Sequence, residues 1–160
     1  MVADWNAVWR EDKKARAPFI ESEPITEPIG HWTSYSGNIF IDPETIIAVR
    51  YSFSCSYELV RMNVATGEIK VLGPVSPYAS RLAFDSASGL VYYSETLPDL
   101  RWSLRNYSAI RALDPQSGKS YLLKETRDGY FYNPSVLKDG TLAAVRYYPS
   151  GKETISLLDK

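Results

Sequence analysis

Ala48-Val-Arg-Tyr51 reappears as Ala144-Val-Arg-Tyr147, 96 residues downstream. A second echo lies between them: Asn63-Val-Ala-Thr-Gly67 returns as Asp114-Pro-Gln-Ser-Gly118, 51 residues on. An apolar run precedes each of these turns, and Glu68-Ile-Lys-Val-Leu72 or Lys119-Ser-Tyr-Leu-Leu123 follows it. The turn has a mechanism. Asn or Asp at its start accepts local backbone hydrogen bonds, and Gly at its end supplies the positive φ that closes a hairpin. Asp85-Ser-Ala-Ser-Gly89 is the same device in a different hairpin. These turns lack the alternating carboxylates of a calcium loop and read as structural.

Working outward from the repeats, short apolar runs alternate with turn signals. The first set is Ile39-Phe-Ile41, Ile46 to Tyr51, Tyr57 to Met62 and Glu68 to Leu72. Arg81 to Phe84, Leu90 to Tyr93, Ala109 to Leu113 and Ser120 to Leu123 form the second. The third holds Pro134 to Leu137, Leu142 to Tyr147 and Thr154 to Leu158. Many short strands without a helix between them predict an all-β antiparallel fold. A period near 50 with four strands per unit predicts β-propeller blades. The expected blades span about 32–78, 79–132 and 133–160, the last without its outer strand. Propellers usually close a ring of about four to eight blades, so this one is incomplete. Either the chain is a piece of a longer protein, or two copies associate as a homodimer and complete a six-bladed ring.

Residues 1–31 differ in character. Trp5, Val8 and Trp9 fall at helical spacing behind Asp4, which predicts a short amphipathic helix. Pro18, Pro24 and Pro28 then forbid a helix and disfavour a central strand, which predicts a connector.

Pro134-Ser-Val-Leu-Lys-Asp-Gly-Thr-Leu-Ala-Ala-Val145, followed by Ile155-Ser-Leu-Leu-Asp159, resembles the TolB-like (WD40-like) propeller repeat. That repeat usually reads Pro-x-x-Ser-Pro-Asp-Gly-Lys-x-Ile-Ala-Phe and then Ile-Tyr-Val-x-Asp. Lys138 stands where Pro is usual, while Asp139 and Gly140 match. Ala109 to Lys119 resembles the third strand and outer turn of such a blade. The resemblance covers roughly residues 32–160 and implies a fold more than a function. More loosely, the chain is similar to the propeller segment of large exported bacterial proteins, in which a metallopeptidase-like domain can precede the propeller. An exported protein is implied by that resemblance alone; Met-Val-Ala-Asp-Trp5 lacks the pattern of a signal peptide. No His-Glu-x-x-His occurs here.

Composition narrows the chemistry. The 160 residues are 44% hydrophobic and 23% charged, which is globular usage, and twelve Tyr, five Phe and four Trp favour pleated, half-buried surfaces. A formal charge of −1 gives no global pull towards nucleic acid, and no run approaches the roughly 20 apolar residues of a membrane helix. Cys55 is the single cysteine, so an internal disulfide and a cysteine-rich zinc site are excluded. His31 is the only histidine, so a multi-histidine metal site cannot be built. Neither a metal nor a cofactor is expected. Carboxylates for propeller-type hydrolysis would come from Glu44, Asp85, Glu95, Asp99 and Asp139.

That inserted loop is the candidate functional surface. Fifteen residues separate Tyr93 from Ala109, against about five in the equivalent link from Ser52 to Ser56. It carries Arg101, Trp102, Arg105 and Tyr107, residue types enriched in binding hot spots. Alternatively Leu97, Leu100, Trp102 and Leu104 fold back over a neighbouring blade. Arg127-Asp-Gly-Tyr-Phe-Tyr132 offers further aromatics, expected to pack between blades two and three. The expected function is a non-catalytic scaffold that docks a protein, a peptide or the remaining blades of a parent chain, and neither region shows a nucleic-acid platform. An accessory propeller of a peptidase or hydrolase is the alternative.

Overall fold

The computed structural model describes residues 5–15, 23–27, 30–77, 79, 81–101 and 106–158. Helix α1 spans Trp5–Ala15, with Val8 and Trp9 largely exposed. Residues 23–27 form neither helix nor strand, and the rest of the proline-rich connector lies outside the described residues.

Three antiparallel sheets follow. The first contains β1 (Thr33–Asp42), β2 (Thr45–Ser52), β3 (Glu58–Asn63) and β4 (Ile69–Pro74), in that order. The second contains β5 (Ala83–Asp85), β6 (Leu90–Pro98), β7 (Asn106–Leu113) and β8 (Ser120–Thr126). The third has three strands, β9 (Tyr130–Val136), β10 (Leu142–Tyr147) and β11 (Glu153–Leu158). This is the all-β, blade-by-blade architecture that the repeats predict. Both copies of Ala-Val-Arg-Tyr fall on the second strand of their sheets, β2 and β10.

The repeated turns share the same backbone bonds. Asn63 Oδ1 accepts the N–H groups of Ala65 and Thr66 at 2.9 Å, and Gly67 N–H returns to the Asn63 carbonyl at 2.9 Å. Asp114 Oδ1 accepts Gln116 N–H at 2.8 Å, and Gly118 N–H returns to the Asp114 carbonyl at 2.8 Å. Gly67 and Gly118 sit at φ 70° and 75°, a region that glycine enters without steric cost.

Strand ends depart from the sequence pattern. β9 starts at Tyr130 rather than Pro134, because Tyr130, Phe131 and Tyr132 pair with Tyr147, Arg146 and Val145; a register shift follows around Asn133, at φ 51°. The insertion in blade two is mostly strand. Glu95, Thr96, Leu97 and Pro98 pair with Ala109, Ser108, Tyr107 and Asn106, so the hairpin is lengthened.

Burial sorts the sheets into a stack. Ile47, Val49 and Leu59 pack on Leu82, Val91, Tyr93 and Leu113 between blades one and two. Tyr92, Ile110 and Ala112 pack on Phe131, Leu142 and Ala144 between blades two and three. β2 is buried on both faces, and Ile46 and Ala48 join Val60 and Met62 on the side away from blade two. Phe131 thus takes the inter-blade role expected for 127–132.

Candidate functional site

Register defines two ends of the stack. The Asx-Gly turns after β3, β5 and β7 lie at one end. The links after β2, β6 and β10 lie at the other, together with the starts of β1 and β9, since Thr33 pairs with Ser52 and Tyr130 with Tyr147. This loop end gathers the aromatic and basic side chains.

In blade one it is built around Ser52, whose Oγ accepts the N–H groups of Ser54 and Cys55 at 3.1 and 3.2 Å. The tight loop that results exposes Phe53 beside Trp32, their ring centroids 5.7 Å apart. Trp32 meets Tyr51 edge-on at 4.7 Å, and Tyr51 stacks on Tyr57 at 4.3 Å. An open hollow of about 630 Å³ lies against Tyr51, Phe53 and Tyr57. His31 Nε2 lies 2.9 Å from Ser54 Oγ. Among the described residues no carboxylate bonds the imidazole.

In blade two, Arg101 is exposed and its N–H donates to Asp99 Oδ1 at 2.8 Å. Trp102 and Arg105 lie outside the described residues. Tyr107 stands on β7, and the Arg127 guanidinium lies 5.4 Å from its ring centroid. A cation–π contact therefore helps to join the two regions singled out in the sequence, 94–108 and 127–132.

Between blades one and two lies a cleft of about 490 Å³ lined by Tyr93, Glu95, Arg111 and Ser120 among apolar side chains. Glu95 is buried and paired with Arg111 Nε. Its other oxygen accepts Ser76 N–H at 3.2 Å, and Ser76 Oγ donates to the Thr96 carbonyl at 2.7 Å. This carboxylate therefore fastens the inter-blade link to blade two. Burial pushes the Tyr93 hydroxyl above the ordinary tyrosine range; Ser120 Oγ, 2.9 Å away, opposes that shift. Of the other acidic candidates, Asp85, Asp99 and Asp139 each accept a backbone N–H within their own turns.

In blade three, Arg146 lies between two rings, its guanidinium 5.6 Å from the Phe131 centroid and 4.6 Å from that of Tyr148. The Tyr132 hydroxyl donates to Glu153 Oε1 at 2.7 Å, and that bond holds its pKa above the ordinary value. Among the described residues no group of three His, Cys, Asp or Glu side chains could hold a metal ion.

Sequence reasoning missed the Trp32–Phe53 platform, the Glu95–Arg111 pair and the Arg146 slot. The last had a signal. The 96-residue offset that aligns the two Ala-Val-Arg-Tyr copies also aligns Glu58 with Thr154.

No family model and no curated protein sequence matches the chain. Solved structures do. The tricorn protease matches 65% of this chain at 18% identity and TM-score 0.51, over 10% of its own length. The oligogalacturonate lyase of Vibrio parahaemolyticus matches 71% at 14% identity and TM-score 0.55, over 33% of its length. A prolyl endopeptidase structure matches 84% at 18% identity and TM-score 0.52, over 23% of its length. The chain thus spans a third or less of each of these proteins, which contain β-propeller domains. At such identities the likeness is one of fold, and it agrees with the blade stack seen here.

Proposed function

We propose that this chain is a non-catalytic, TolB-like propeller segment whose work is docking. One observation carries the reading. Val49 and Leu59 pair across β2 and β3 and are buried by blade two, 5% and 2% exposed. The same pair recurs 96 residues on as Val145 and Ile155 across β10 and β11, where Ile155 is 79% exposed. Leu157 and Leu137 extend this bare apolar surface around a groove of about 420 Å³. An exposed face that repeats a covered one implies a similar cover, a further β-blade or neighbouring domain that presents apolar side chains as Leu82, Val91 and Tyr93 do. At the loop end, we assign Arg101, Trp102, Arg105 and Tyr107 to contact with a docked protein or peptide. Likeness to the tricorn protease and to a prolyl endopeptidase favours, as a second reading, an accessory propeller of a peptidase.

The test is light scattering of the chain alone, with binding of a hydrophobic dye. A monomer that binds dye, and loses it on Ile155→Glu with unchanged circular dichroism, is the expected result. Twice the chain mass, reversed by the same substitution, would make a second copy the cover. A monomer that binds no dye sinks the reading.

A further inference from the structure

Arg50 and Arg146 occupy the same place in the repeat, one residue after Val49 and Val145. Their surroundings differ on the facing strand, where one has a carboxylate and the other does not. Across the ladder Arg50 faces Glu58, and its Nε donates to Glu58 Oε1 at 2.8 Å. Burial works against the Arg50 charge, but the Glu58 carboxylate outweighs it and holds the pKa above the ordinary value. Arg146 faces Thr154 at the equivalent position. The carboxylate has gone and the cation has stayed.

The remaining half-buried arginines each reach a side-chain acceptor: Arg61 donates to Gln116 and Arg111 to Glu95. Arg146 reaches none among the described residues, and its Nε is buried without a hydrogen-bond partner. Glu153, the neighbouring acid on β11, already accepts the Tyr132 hydroxyl. Phe131 and Tyr148 hold the guanidinium by its faces. Aromatic faces stabilise a cation but offer no lone pair to its N–H groups. A guanidinium is planar and presents its terminal nitrogens in a fork suited to a bidentate carboxylate.

We infer that Arg146, set between Phe131 and Tyr148 at the loop end, is a receptor for a carboxylate brought by a small organic acid or by an acidic side chain of a docked peptide. The site faces blade two, on the side of the sheet opposite Val145 and Ile155, so it stands whether or not that apolar face docks a blade.

The test follows the Arg146 Nε–Hε resonance by NMR at constant ionic strength. The titrants are sodium acetate, the blocked pentapeptide Ala-Ala-Glu-Ala-Ala and its Gln analogue, with chloride as the control. A saturable shift with acetate, absent with chloride, supports the proposal and points to a small acid where the Glu peptide binds no tighter. Binding of the Glu peptide about tenfold tighter than acetate or the Gln peptide points to a docked side chain. No saturable shift with any carboxylate overturns the proposal. Because Arg146→Gln removes a stacked side chain and can unfold the blade, the decisive variant is Thr154→Glu, which places a carboxylate where Glu58 stands in blade one. It is expected to abolish the acetate response and raise Tm by about 2–4 °C. A Thr154→Glu protein that still binds acetate, or that melts earlier, also overturns it.

Discussion

The backbone N–H of Phe131 donates to the Ser108 hydroxyl at 2.6 Å, in a site where Ser108 is 0% exposed. This bond ties the first strand of blade three to the third strand of blade two, in the middle of an otherwise apolar contact. Removing the hydroxyl leaves a buried donor without a partner. Ser108→Ala should therefore cost about 1–3 kcal/mol by chemical denaturation. If the variant is as stable as the parent, the bond contributes nothing to blade stacking.

Glu95 joins three pieces of chain, since it accepts from Arg111 on β7 and from Ser76 in the link between blades. Glu95→Ala strands a guanidinium and a backbone N–H together. A loss of about 2–4 kcal/mol is expected, and Arg111→Ala, which strands the more deeply buried Glu95 carboxylate, should cost a similar amount. A double-mutant cycle measures the coupling. Strict additivity of the two substitutions would show that the pair does not act as a unit.

Acid stability should report on Asp114. The Ser117 hydroxyl, 2.6 Å from its Oδ2, and the Gln116 N–H hold this carboxyl below the ordinary aspartate range. The folded pKa is depressed, so the stabilisation is present above the unfolded value of about 3.9 and is lost as pH falls through the folded one. Asn63 makes the corresponding turn in blade one without a charge. Asp114→Asn should accordingly keep the fold at neutral pH and flatten the stability profile below about pH 4. An unchanged acid limb would refute the assignment.

Alkaline stability should report on Tyr93. Burial raises the pKa of its hydroxyl, so this contribution is intact below the unfolded value of about 10 and disappears as pH rises through the folded one. Tyr93→Phe removes the bond to Ser120 and should cost about 1 kcal/mol at neutral pH. The variant should also resist alkaline unfolding better than the parent. Equal alkaline midpoints for the two proteins would count against it.

The candidate surface was legible in part. Arg101 and Tyr107 were singled out because Trp, Tyr and Arg cluster in an unusually long link. The true length of that loop was hidden, because Thr96 pairs with Ser108 and Leu97 with Tyr107 only once both strands are laid side by side. The Tyr107–Arg127 contact was hidden for a like reason: nineteen residues of hairpin and outer strand separate the two.

The chain's own residues determined whatever is local. Asn63, Asp85 and Asp114 bond to backbone two or three residues away, so their turns are specified before any tertiary contact forms. Alternation within β2 and β10 then follows, and with it the 96-residue repeat. Tertiary structure alone decided which of two equivalent surfaces is covered. Val49 with Leu59 and Val145 with Ile155 are the same pair in sequence, yet blade two buries the first and leaves the second bare. Nor does any local rule pair Glu95 with Arg111 or seat Arg146 between Phe131 and Tyr148. Those contacts depend on the register of neighbouring strands and on which side chains the stacked sheets seal from water.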